Sequence, residues 1–590
     1  QMIGRRDLIP VAGPALFIVQ EDNAFHRHGE SPPLSICKAS YKKSKESSMF
    51  LPMNNQYNNS TSDKNRHSFQ PRSRMEAIAT SGKSGRSEKE KQTTFCISIG
   101  EGVTIVNQNR RVLIIGADGL RPDNVSRDVT PTCWRLAQEG TLFTSFHSAY
   151  PSATRVCMST LTTGTYPGRH GVFANLMRVA GFPLDEGWVQ TGNDKHIRTF
   201  EETMEEPFLL RPTLGERLQR NGKTLAVAAS SSPGASFIWN IKIPENVLNP
   251  SFGYKNPELE EKLRRAGFPR RENLANAREK VEWATRALIE LLLPDPQFDC
   301  MVLWLNEPDA ANHAYGMGSP QAADALRLVD RCVAEVLSAV ERLGLGDRLD
   351  LMLISDHGHS SVKPQKTLSD WLQQYELQHG LPKQWITSDY YLYFTGKEGP
   401  ETAQLQHLID WLYGLEWCGL VFAHPEYAGS LSGVISMEAL LGPICHNRIP
   451  ALAVNPRWSD APNRFGVPGS LYTISKDKHS THGSTCPYEM RPFCLGYGPS
   501  FKERTVSDVP CGIVDIAPTV CHLLGLTETG FDGRVLTEGL KGGAAQLPMK
   551  ETLLYADSEQ TRGLLLLQVG DTRYVDGSFF HTTYSRGGTQ

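Results

Sequence analysis

Aspartate and histidine residues recur in this sequence after apolar runs that are typical of buried strands. Carboxylate oxygens and imidazole nitrogens are ligands that zinc accepts. Each residue has an ordinary alternative as a turn residue, an exposed helical pair or a loop histidine. Four clusters in this order are nevertheless improbable as coincidence. The candidate ligands are Asp118, Asp309, His313, Asp356, His357 and His482.

A candidate nucleophile lies in the segment 150–157. Thr154 follows a proline-containing turn and precedes an apolar stretch with a helical pattern, so we expect its hydroxyl at a helix N-terminus. The helix dipole and the free N–H groups there favour an anionic phosphate. An ordinary N-cap is the alternative role for Thr154, and the two roles are geometrically compatible.

Short apolar runs predict the strands that position these residues, and helical patterns separate them. Strands that alternate with helices predict an α/β fold, a three-layer sandwich with a mostly parallel central sheet. Ligands bind such a sheet outside the carboxyl ends of its strands. The clearest helical pattern carries Leu326, Val329, Val333, Val336, Val340 and Leu343 on one face. The predicted strands are 112–115, 225–229, 300–305, 351–354 and 493–497.

Taken together, these motifs resemble the type I phosphodiesterase/nucleotide pyrophosphatase family of the alkaline phosphatase superfamily. The resemblance covers roughly residues 110–526 and leaves out the N-terminal hundred. It rests on Gly116-Ala117-Asp118-Gly119, 151–154, Thr163-Gly164-Thr165-Tyr166-Pro167, His170-Gly171, Glu307-Pro308-Asp309, His313, Ser355-Asp356-His357-Gly358 and His482-Gly483.

The resemblance implies an alkaline-phosphatase-like fold, two Zn²⁺ ions and hydrolysis of phosphodiester or pyrophosphate bonds in nucleotide-type substrates. Two cations can clamp the attacking and leaving oxygens of an in-line displacement. Zinc coordination lowers the pKa of a threonine hydroxyl, which supports a phosphothreonyl intermediate. By resemblance, one zinc is held by Asp118, Thr154, Asp356 and His357, and the other by Asp309, His313 and His482.

Three positions near these motifs need separate interpretation. Cys157 stands where family members often carry an asparagine that donates to the phosphoryl oxygen, and a thiol is a weak donor. Arg155 is a second candidate for phosphate binding, because guanidinium suits phosphate oxygens, with a surface arginine as the alternative. His359 stands where methionine is usual, and it is either a donor behind the ligands or a solvated loop histidine.

Alternative functions stay open because leaving-group contacts lie in the loops 181–207 and 230–249. The alternatives are a phosphonoacetate hydrolase, which cleaves a carbon–phosphorus bond, and a phosphomonoesterase. A catalytically silent relative that binds a metal or a partner is the alternative from another class, and Cys157 alone favours it. Aromatic residues of these loops could stack a base or belong to the core: Trp188, Phe237 and Trp239.

Composition divides the chain. Residues 41–91 are rich in Ser, Asn, Lys and Arg and poor in apolar residues, so we expect residues 1–108 to be a disordered extension. Residues 109–540 are the predicted catalytic domain, with 362–475 as a cap or insertion. Residues 541–590 are predicted to be a tail that packs on this domain.

Charge and hydropathy limit the partners. The 61 basic and 64 acidic residues nearly balance, so we expect a small-molecule phosphoester, pyrophosphate or phosphonate substrate rather than a nucleic-acid polymer. No run of about 18 apolar residues predicts a membrane span. Pro10 and Pro14 interrupt the apolar stretch 8–19, which is therefore no clean signal peptide. Cysteines such as Cys300 and Cys332 have the pattern of core residues. The cysteines fit a reducing as well as an oxidising compartment, so the location stays open, with an intracellular one slightly favoured over export.

Overall fold

The computed structural model describes residues 110–251, 257–269, 274–364, 366–472 and 478–580. The predicted disordered extension 1–108, with its apolar stretch 8–19, lies outside the described residues. Residues 581–590 of the predicted tail lie outside them as well.

An eight-stranded sheet holds the motifs, and it includes all five predicted strands. Its strands are β1 (Arg111–Ala117), β2 (Thr141–Phe143), β3 (Leu225–Ala229), β4 (Val247–Leu248), β5 (Cys300–Leu305), β6 (Leu349–Ile354), β7 (Cys494–Tyr497) and β8 (Thr505–Ser507). Their order across the sheet is β8-β2-β7-β6-β1-β5-β3-β4. Strand β1 pairs in parallel with β5 and β6, and only β7 runs antiparallel to its neighbours.

Alternate side chains of β1 enter two hydrophobic clusters, one on each face of the sheet. Val112 and Ile114 belong to one cluster, and Leu113 and Ile115 belong to the other. Helices cover both faces, which confirms the three-layer α/β sandwich. Thr154–Thr163 (α1), Leu214–Arg220, Pro233–Ile238 and Ile516–Leu523 pack on the first face. Pro131–Glu139, Pro257–Arg265, Ala277–Ala287 and Pro320–Arg342 pack on the second.

The helix Pro320–Arg342 buries the predicted apolar stripe over most of its length. Leu326, Val329 and Val333 are all buried, as the spacing predicts. Leu343 is different, because the helix ends at Arg342 and Leu343 is 37% exposed just beyond it. The prediction that Leu343 lies on the buried face was wrong, because the helix ends one residue before it.

The segment 362–475 has a hydrophobic cluster of its own, built on a five-stranded sheet and the helices Leu368–Gln378 and Thr402–Tyr413. The strands of this sheet are Trp385–Ser388, Tyr391–Phe394, Cys418–Ala423, Val434–Ser436 and Leu452–Pro456. A smaller sheet, with strands Ser360–Lys363, Trp458–Ser459, Ser470–Tyr472 and Ser480–Thr481, returns the chain to His482. That the segment works as a cap stays a prediction.

Residues 549–580 form a three-stranded antiparallel sheet. Its strands are Met549–Tyr555, Arg562–Val569 and Thr572–Phe580. Leu564, Leu566 and Tyr574 join the hydrophobic cluster on the first face of the central sheet. The buried carboxylate of Asp576 accepts hydrogen bonds from His147 Nε2 (2.9 Å) and Arg491 Nε (2.9 Å), which ties this sheet to the rest of the fold.

Cys300 and Cys332 are buried free thiols, as their patterns predict. Within the described ranges, no helix combines the length and the apolar character that crossing a bilayer requires.

Candidate metal centre and nucleophile

The carboxyl ends of β1, β5 and β6 bring three motifs to one edge of the sheet. Asp118 follows β1 directly, and Asp356 follows β6 after one residue. Asp309 begins the helix Asp309–Tyr315 (α2), which follows β5. The Asp118 N–H donates to the Leu305 carbonyl (2.9 Å), and the Asp309 N–H donates to the Asp118 carbonyl (3.0 Å). Parallel register therefore fixes the backbone that carries these carboxylates.

The first cluster gathers the four residues that the resemblance assigns to one zinc. His357 Nε2 lies 3.4 Å from Asp118 Oδ1, 3.3 Å from Asp356 Oδ2 and 3.3 Å from Thr154 Oγ1. Both of these carboxylate oxygens are buried, and neither has a hydrogen-bond partner among the described residues. An unpaired buried carboxylate is costly, so these two atoms need a cation or a proton.

The remaining oxygens of the first cluster are held from behind. The Gly119 N–H donates to Asp356 Oδ1 (3.3 Å), and Trp304 Nε1–H donates to Asp118 Oδ2 (3.5 Å). The Trp304 ring packs against Gly116, where a Cβ atom would lie 2.0 Å from a ring carbon. Glycine is therefore required at residue 116 of the Gly116-Ala117-Asp118-Gly119 motif for this close approach.

The second cluster gathers the other three predicted ligands. Asp309 Oδ1 lies 3.3 Å from His313 Nε2 and 3.4 Å from His482 Nε2, and the two imidazole nitrogens are 3.1 Å apart. His313 Nδ1 donates to the Ser480 carbonyl (2.8 Å), and His482 Nδ1 donates to the Ser152 carbonyl (2.7 Å). Because a carbonyl only accepts, the proton stays on Nδ1 and the Nε2 lone pair faces the cluster.

Both clusters fit a divalent cation. Atoms that bind one tetrahedral zinc at about 2.1 Å are separated by about 3.4 Å. The separations measured from His357 in the first cluster are 3.3–3.4 Å, and those of the second cluster are 3.1–3.4 Å. Ligand atoms of Asp118, Asp309 and His357 also lie within 4.8 Å of one another, so the two clusters adjoin.

Burial and neighbouring charged groups shift the pKa values of the three carboxylates. Burial raises the pKa of Asp118 well above its usual range, and the neighbouring carboxylates Asp356 and Asp309 raise it further. Burial also raises the pKa of Asp356, against the opposing effect of His357. Burial would raise the pKa of Asp309 as well, but the imidazoles around it hold that pKa well below its usual range. Concentrated negative charge of this kind is relieved by a bound cation.

Burial favours the neutral form of the imidazoles around Asp309. Burial lowers the pKa of His313 and of His482, and in His482 the neighbouring His357 lowers it further. Burial also lowers the pKa of His359 to about 3, although Asp309 opposes the shift. Neutral imidazole is the form that binds metal ions.

Thr154 is the first residue of α1 and not its N-cap. Ala153 occupies the N-cap position in an extended conformation (φ −130°, ψ 133°). The N-cap interpretation of Thr154 was therefore wrong, and its hydroxyl is directed to His357 Nε2 at 3.3 Å. Thr154 is 5% exposed, so the hydroxyl is nearly enclosed by the cluster.

The two candidate phosphate-binding residues have different environments. Arg155 is partly buried, and its Nε has no hydrogen-bond partner within the described part of the chain. Burial lowers the pKa of Arg155, while Asp389 and Asp118 oppose this shift, so the guanidinium lies near the acidic clusters and is no surface arginine. Cys157 is fully buried in a hydrophobic cluster, with its Sγ 3.3 Å from Ser148 Oγ. The structure thus places the thiol in the core, which contradicts the expected phosphate contact.

Three polar residues beside the ligand motifs hydrogen-bond to neighbouring elements. His170 Nε2 lies 3.0 Å from Thr160 Oγ1, so His170 packs against α1. Glu307 Oε2 accepts from the Ala311 N–H (3.0 Å), and Asn306 Oδ1 accepts from Ser230 Oγ (2.8 Å).

The aromatic residues of segments 181–207 and 230–249 do not share one role. Phe237 and Trp239 are buried in the core. Trp188 is partly exposed and packs edge-on against Tyr393, with ring centroids 5.4 Å apart.

Sequence reasoning missed Lys478 and Trp304, which contact predicted ligands, and Asn175, which contacts Asp389. Lys478 Nζ lies 3.4 Å from His313 Nε2, and the Asn175 N–H donates to the Asp389 carboxylate. Asn175 Oδ1 is buried without a hydrogen-bond partner among the described residues. No spacing relates Asn175 or Lys478 to the ligand motifs, and Trp304 is an unremarked residue of an apolar strand.

The chain is similar to known phosphodiesterases and nucleotide pyrophosphatases. A family model described as type I phosphodiesterase / nucleotide pyrophosphatase matches residues 112–407. Ectonucleotide pyrophosphatase/phosphodiesterase family member 7 of Homo sapiens is 25% identical over 451 residues, which are 74% of this chain and 85% of that protein. Bis(5'-adenosyl)-triphosphatase of Homo sapiens is 23% identical over 447 residues, with coverage of 70% and 78%.

A solved structure shows the same fold. The structure of an inactive variant of murine ectonucleotide pyrophosphatase/phosphodiesterase 5 in complex with AMP superposes with a TM-score of 0.51 at 19% identity. The superposition covers 73% of this chain and 100% of that one.

Proposed function

The chain belongs to the type I phosphodiesterase/nucleotide pyrophosphatase family, and from this premise we propose that it is a two-zinc hydrolase of phosphodiester or pyrophosphate bonds. The observation that carries the proposal is the position of the Thr154 hydroxyl, 3.3 Å from His357 Nε2 and beside two unpaired carboxylate oxygens. A nucleophile and a cation site in contact are what phosphoryl transfer to a side chain requires.

Asp118, Thr154, Asp356 and His357 would hold one Zn²⁺, and Asp309, His313 and His482 would hold the other. When bound, the ions would lower the pKa of the Thr154 hydroxyl and neutralise charge on the attacking and leaving oxygens. The donor set of oxygens and imidazole nitrogens suits zinc.

Thr154 would act by in-line displacement. Its hydroxyl would release a proton to solvent water, and its Oγ1 would form a bond to phosphorus. The bond from phosphorus to the leaving oxygen would break, and that oxygen would keep the electron pair and take up a proton from water. Water then cleaves the phosphothreonyl group, which releases the phosphorylated product and restores the threonine hydroxyl. The Nδ1 atoms of His313 and His482 are engaged with carbonyls, so their Nε2 atoms serve as ligands and not as the general base.

Arg155 would bind the phosphoryl oxygens that do not react. Arg155 directly follows the nucleophile, and its Nε has no partner within the described ranges. A guanidinium donates charge-assisted hydrogen bonds to phosphate oxygens. Its proximity to Asp389 and Asp118 keeps it in the acidic clusters, where it would offset repulsion of an anionic substrate.

Nucleotide-type substrates are the proposed class. Support comes from the relatives, one of which is named a bis(5'-adenosyl)-triphosphatase and another an ectonucleotide pyrophosphatase/phosphodiesterase. A triphosphate bridge contains the pyrophosphate bonds that the proposed chemistry would cleave.

The test combines metal analysis with three substrates. The purified chain is assayed with an activated phosphodiester, the matching monoester and phosphonoacetate, before and after chelation. We expect two zinc ions per chain and diester cleavage that is fastest and sensitive to the chelator.

The other outcomes would each overturn part of the proposal. Fastest cleavage of phosphonoacetate would assign carbon–phosphorus hydrolysis, and fastest cleavage of the monoester would assign a phosphomonoesterase. Bound metal without turnover of any substrate would favour a silent relative. Absence of bound metal would refute the metal centre.

A further inference from the structure

A fourth imidazole, His359, adjoins the second cluster. Its side chain is fully buried, so the solvated loop histidine considered from the sequence was wrong. His359 Nε2 lies 2.8 Å from Asp309 Oδ1, and candidate ligand atoms of Asp309, His313, His359 and His482 lie within 4.8 Å of one another. His359 is therefore either a further metal ligand or a hydrogen-bond donor to the candidate ligand Asp309.

The Nδ1 partner separates His359 from the other imidazoles. His313, His357 and His482 each have a backbone carbonyl at Nδ1, at 2.8, 3.0 and 2.7 Å. Those carbonyls only accept, so each of these rings presents an Nε2 lone pair. His359 Nδ1 instead faces the hydroxyl of Ser480 at 3.1 Å, and a hydroxyl can donate.

The distance to Asp309 supports the same distinction. The ligand atoms of the second cluster are 3.1–3.4 Å apart, close to the separation of about 3.4 Å across a tetrahedral zinc site. The separation of 2.8 Å between His359 Nε2 and Asp309 Oδ1 is that of a charge-assisted N–H···O hydrogen bond.

We propose that His359 is a positioning residue of the second metal site, whose Nε2–H donates to Asp309 Oδ1 while the Ser480 hydroxyl donates to its Nδ1. The proposal rests on the proposed function, since it requires that the Asp309 cluster binds a metal. The hydrogen bond fixes the rotation of the Asp309 carboxylate toward His313 and His482.

Ser480 serves two imidazoles at once. Its carbonyl accepts from His313 Nδ1, and its hydroxyl contacts His359 Nδ1. The Ser480→Ala variant therefore removes only the contact to His359 and leaves the backbone partner of His313 in place. Without the hydroxyl, the His359 proton is free to move to Nδ1, and the Nε2 lone pair would then repel the Asp309 carboxylate.

Metal affinity is the direct readout. Hydrogen-bond partners behind metal ligands typically contribute about 10- to 100-fold to affinity. We expect His359→Met to weaken Co²⁺ binding by about that factor at one of two sites and to leave the other site unchanged. His359→Gln keeps an N–H donor and should recover part of the loss, and Ser480→Ala should weaken the same site.

The matched control is His522→Met, which changes an exposed histidine of the helix Ile516–Leu523 in the same way. Each variant is titrated with Co²⁺ against a chromophoric chelator, and its visible absorption is recorded at saturation. Positioning predicts lower affinity with the same absorption bands, because the ligands themselves are retained. Circular dichroism of the metal-free variants checks that each has folded.

Two results would overturn the positioning role. Wild-type affinity in both His359→Met and Ser480→Ala would show that the hydrogen bond is not used. Changed absorption bands in saturated His359→Met, with no loss in Ser480→Ala, would make His359 a ligand. A wild-type chain that binds no Co²⁺ or zinc would refute the proposed function itself, which is a distinguishable outcome.

Discussion

Asp118 Oδ1 lies 3.4 Å from His357 Nε2 and, among the described residues, no group donates a hydrogen bond to it. Asp356 Oδ2 lies 3.3 Å from the same nitrogen, and none of the described residues donates a hydrogen bond to it either. The fold thus buries acceptor atoms around one imidazole without supplying protons for them. A cation between them would stabilise an arrangement that the protein alone leaves unfavourable.

We therefore predict that Asp118→Asn stabilises the metal-free chain and destabilises the zinc-bound chain. In the metal-free chain the substitution removes a buried, repelled carboxylate, so the free energy of unfolding should rise by about 1–3 kcal/mol. With zinc present, the variant should be less stable than the wild type because it loses binding energy linked to folding.

Denaturant unfolding with chelator and with excess zinc measures both effects. Asp324→Asn is the control, since Asp324 is an exposed carboxylate with a surface ion pair to Arg327. Destabilisation by Asp118→Asn under both conditions would show that the carboxylate is satisfied without metal.

Arg155 is expected to contribute to substrate binding through its charge. Arg155→Met should lower kcat/KM for a phosphodiester by about 10- to 100-fold, the value of a hydrogen bond to a charged group. Arg155→Lys should recover part of this loss, because it keeps the charge but not the planar donor pair. Steady-state kinetics measures both, with the exposed Arg135→Met as control. Unchanged kinetics in Arg155→Met would remove Arg155 from the site.

Cys157 is expected to matter for stability and not for catalysis. Its buried Sγ packs near Ser148, so Cys157→Ala should lower the free energy of unfolding by about 1 kcal/mol through a small cavity. The value of kcat/KM should stay within about 2-fold of wild type. Cys300→Ala, another buried thiol of the same hydrophobic cluster, is the matched control. A large loss of kcat/KM without loss of stability would return Cys157 to the phosphate site.

The Asp576 carboxylate predicts a pH dependence of stability. Burial alone would raise its pKa, but His147 and Arg491 hold the pKa below the usual value of an aspartate. A lowered folded-state pKa contributes stability that is present above the unfolded pKa of about 4 and is lost as the pH falls below it. Asp576→Asn should therefore cost about 3 kcal/mol at pH 7 and progressively less below pH 4.

Unfolding of the metal-free chain at several pH values isolates this contribution from metal binding. The quantity compared is the difference in unfolding free energy between wild type and Asp576→Asn. A difference that stays constant from pH 7 to pH 3 would mean that the ion pairs of Asp576 do not stabilise the fold.

Much of the central sheet could be predicted because its strands are continuous apolar runs. The runs 225–229 and 300–305 coincide with β3 and β5. A polar residue that follows a parallel strand lies at the carboxyl edge of the sheet, where ligands bind. The short strand β2 was not predicted, since three residues carry no periodicity and its pairing with β7 is decided by tertiary contacts.

Side-chain direction within a motif was the part that sequence could not supply. Thr154 and Cys157 belong to the same helix, yet Thr154 contacts His357 of the first candidate cluster and Cys157 enters the core. His359 and His357 are two residues apart, and only the hydroxyl or carbonyl beside each ring separates their roles. Those partners come from distant segments, and no local pattern encodes them.

Bound metal and phosphodiester turnover, measured together in wild type and Thr154→Ala, test the role of Thr154 most directly. We predict that the variant retains zinc and loses at least about 1,000-fold in kcat, because the nucleophile is gone while the carboxylates and imidazoles remain. Thr203→Ala, an exposed threonine, should match wild type in both. Turnover that survives in zinc-loaded Thr154→Ala would contradict the assignment of Thr154 as the nucleophile.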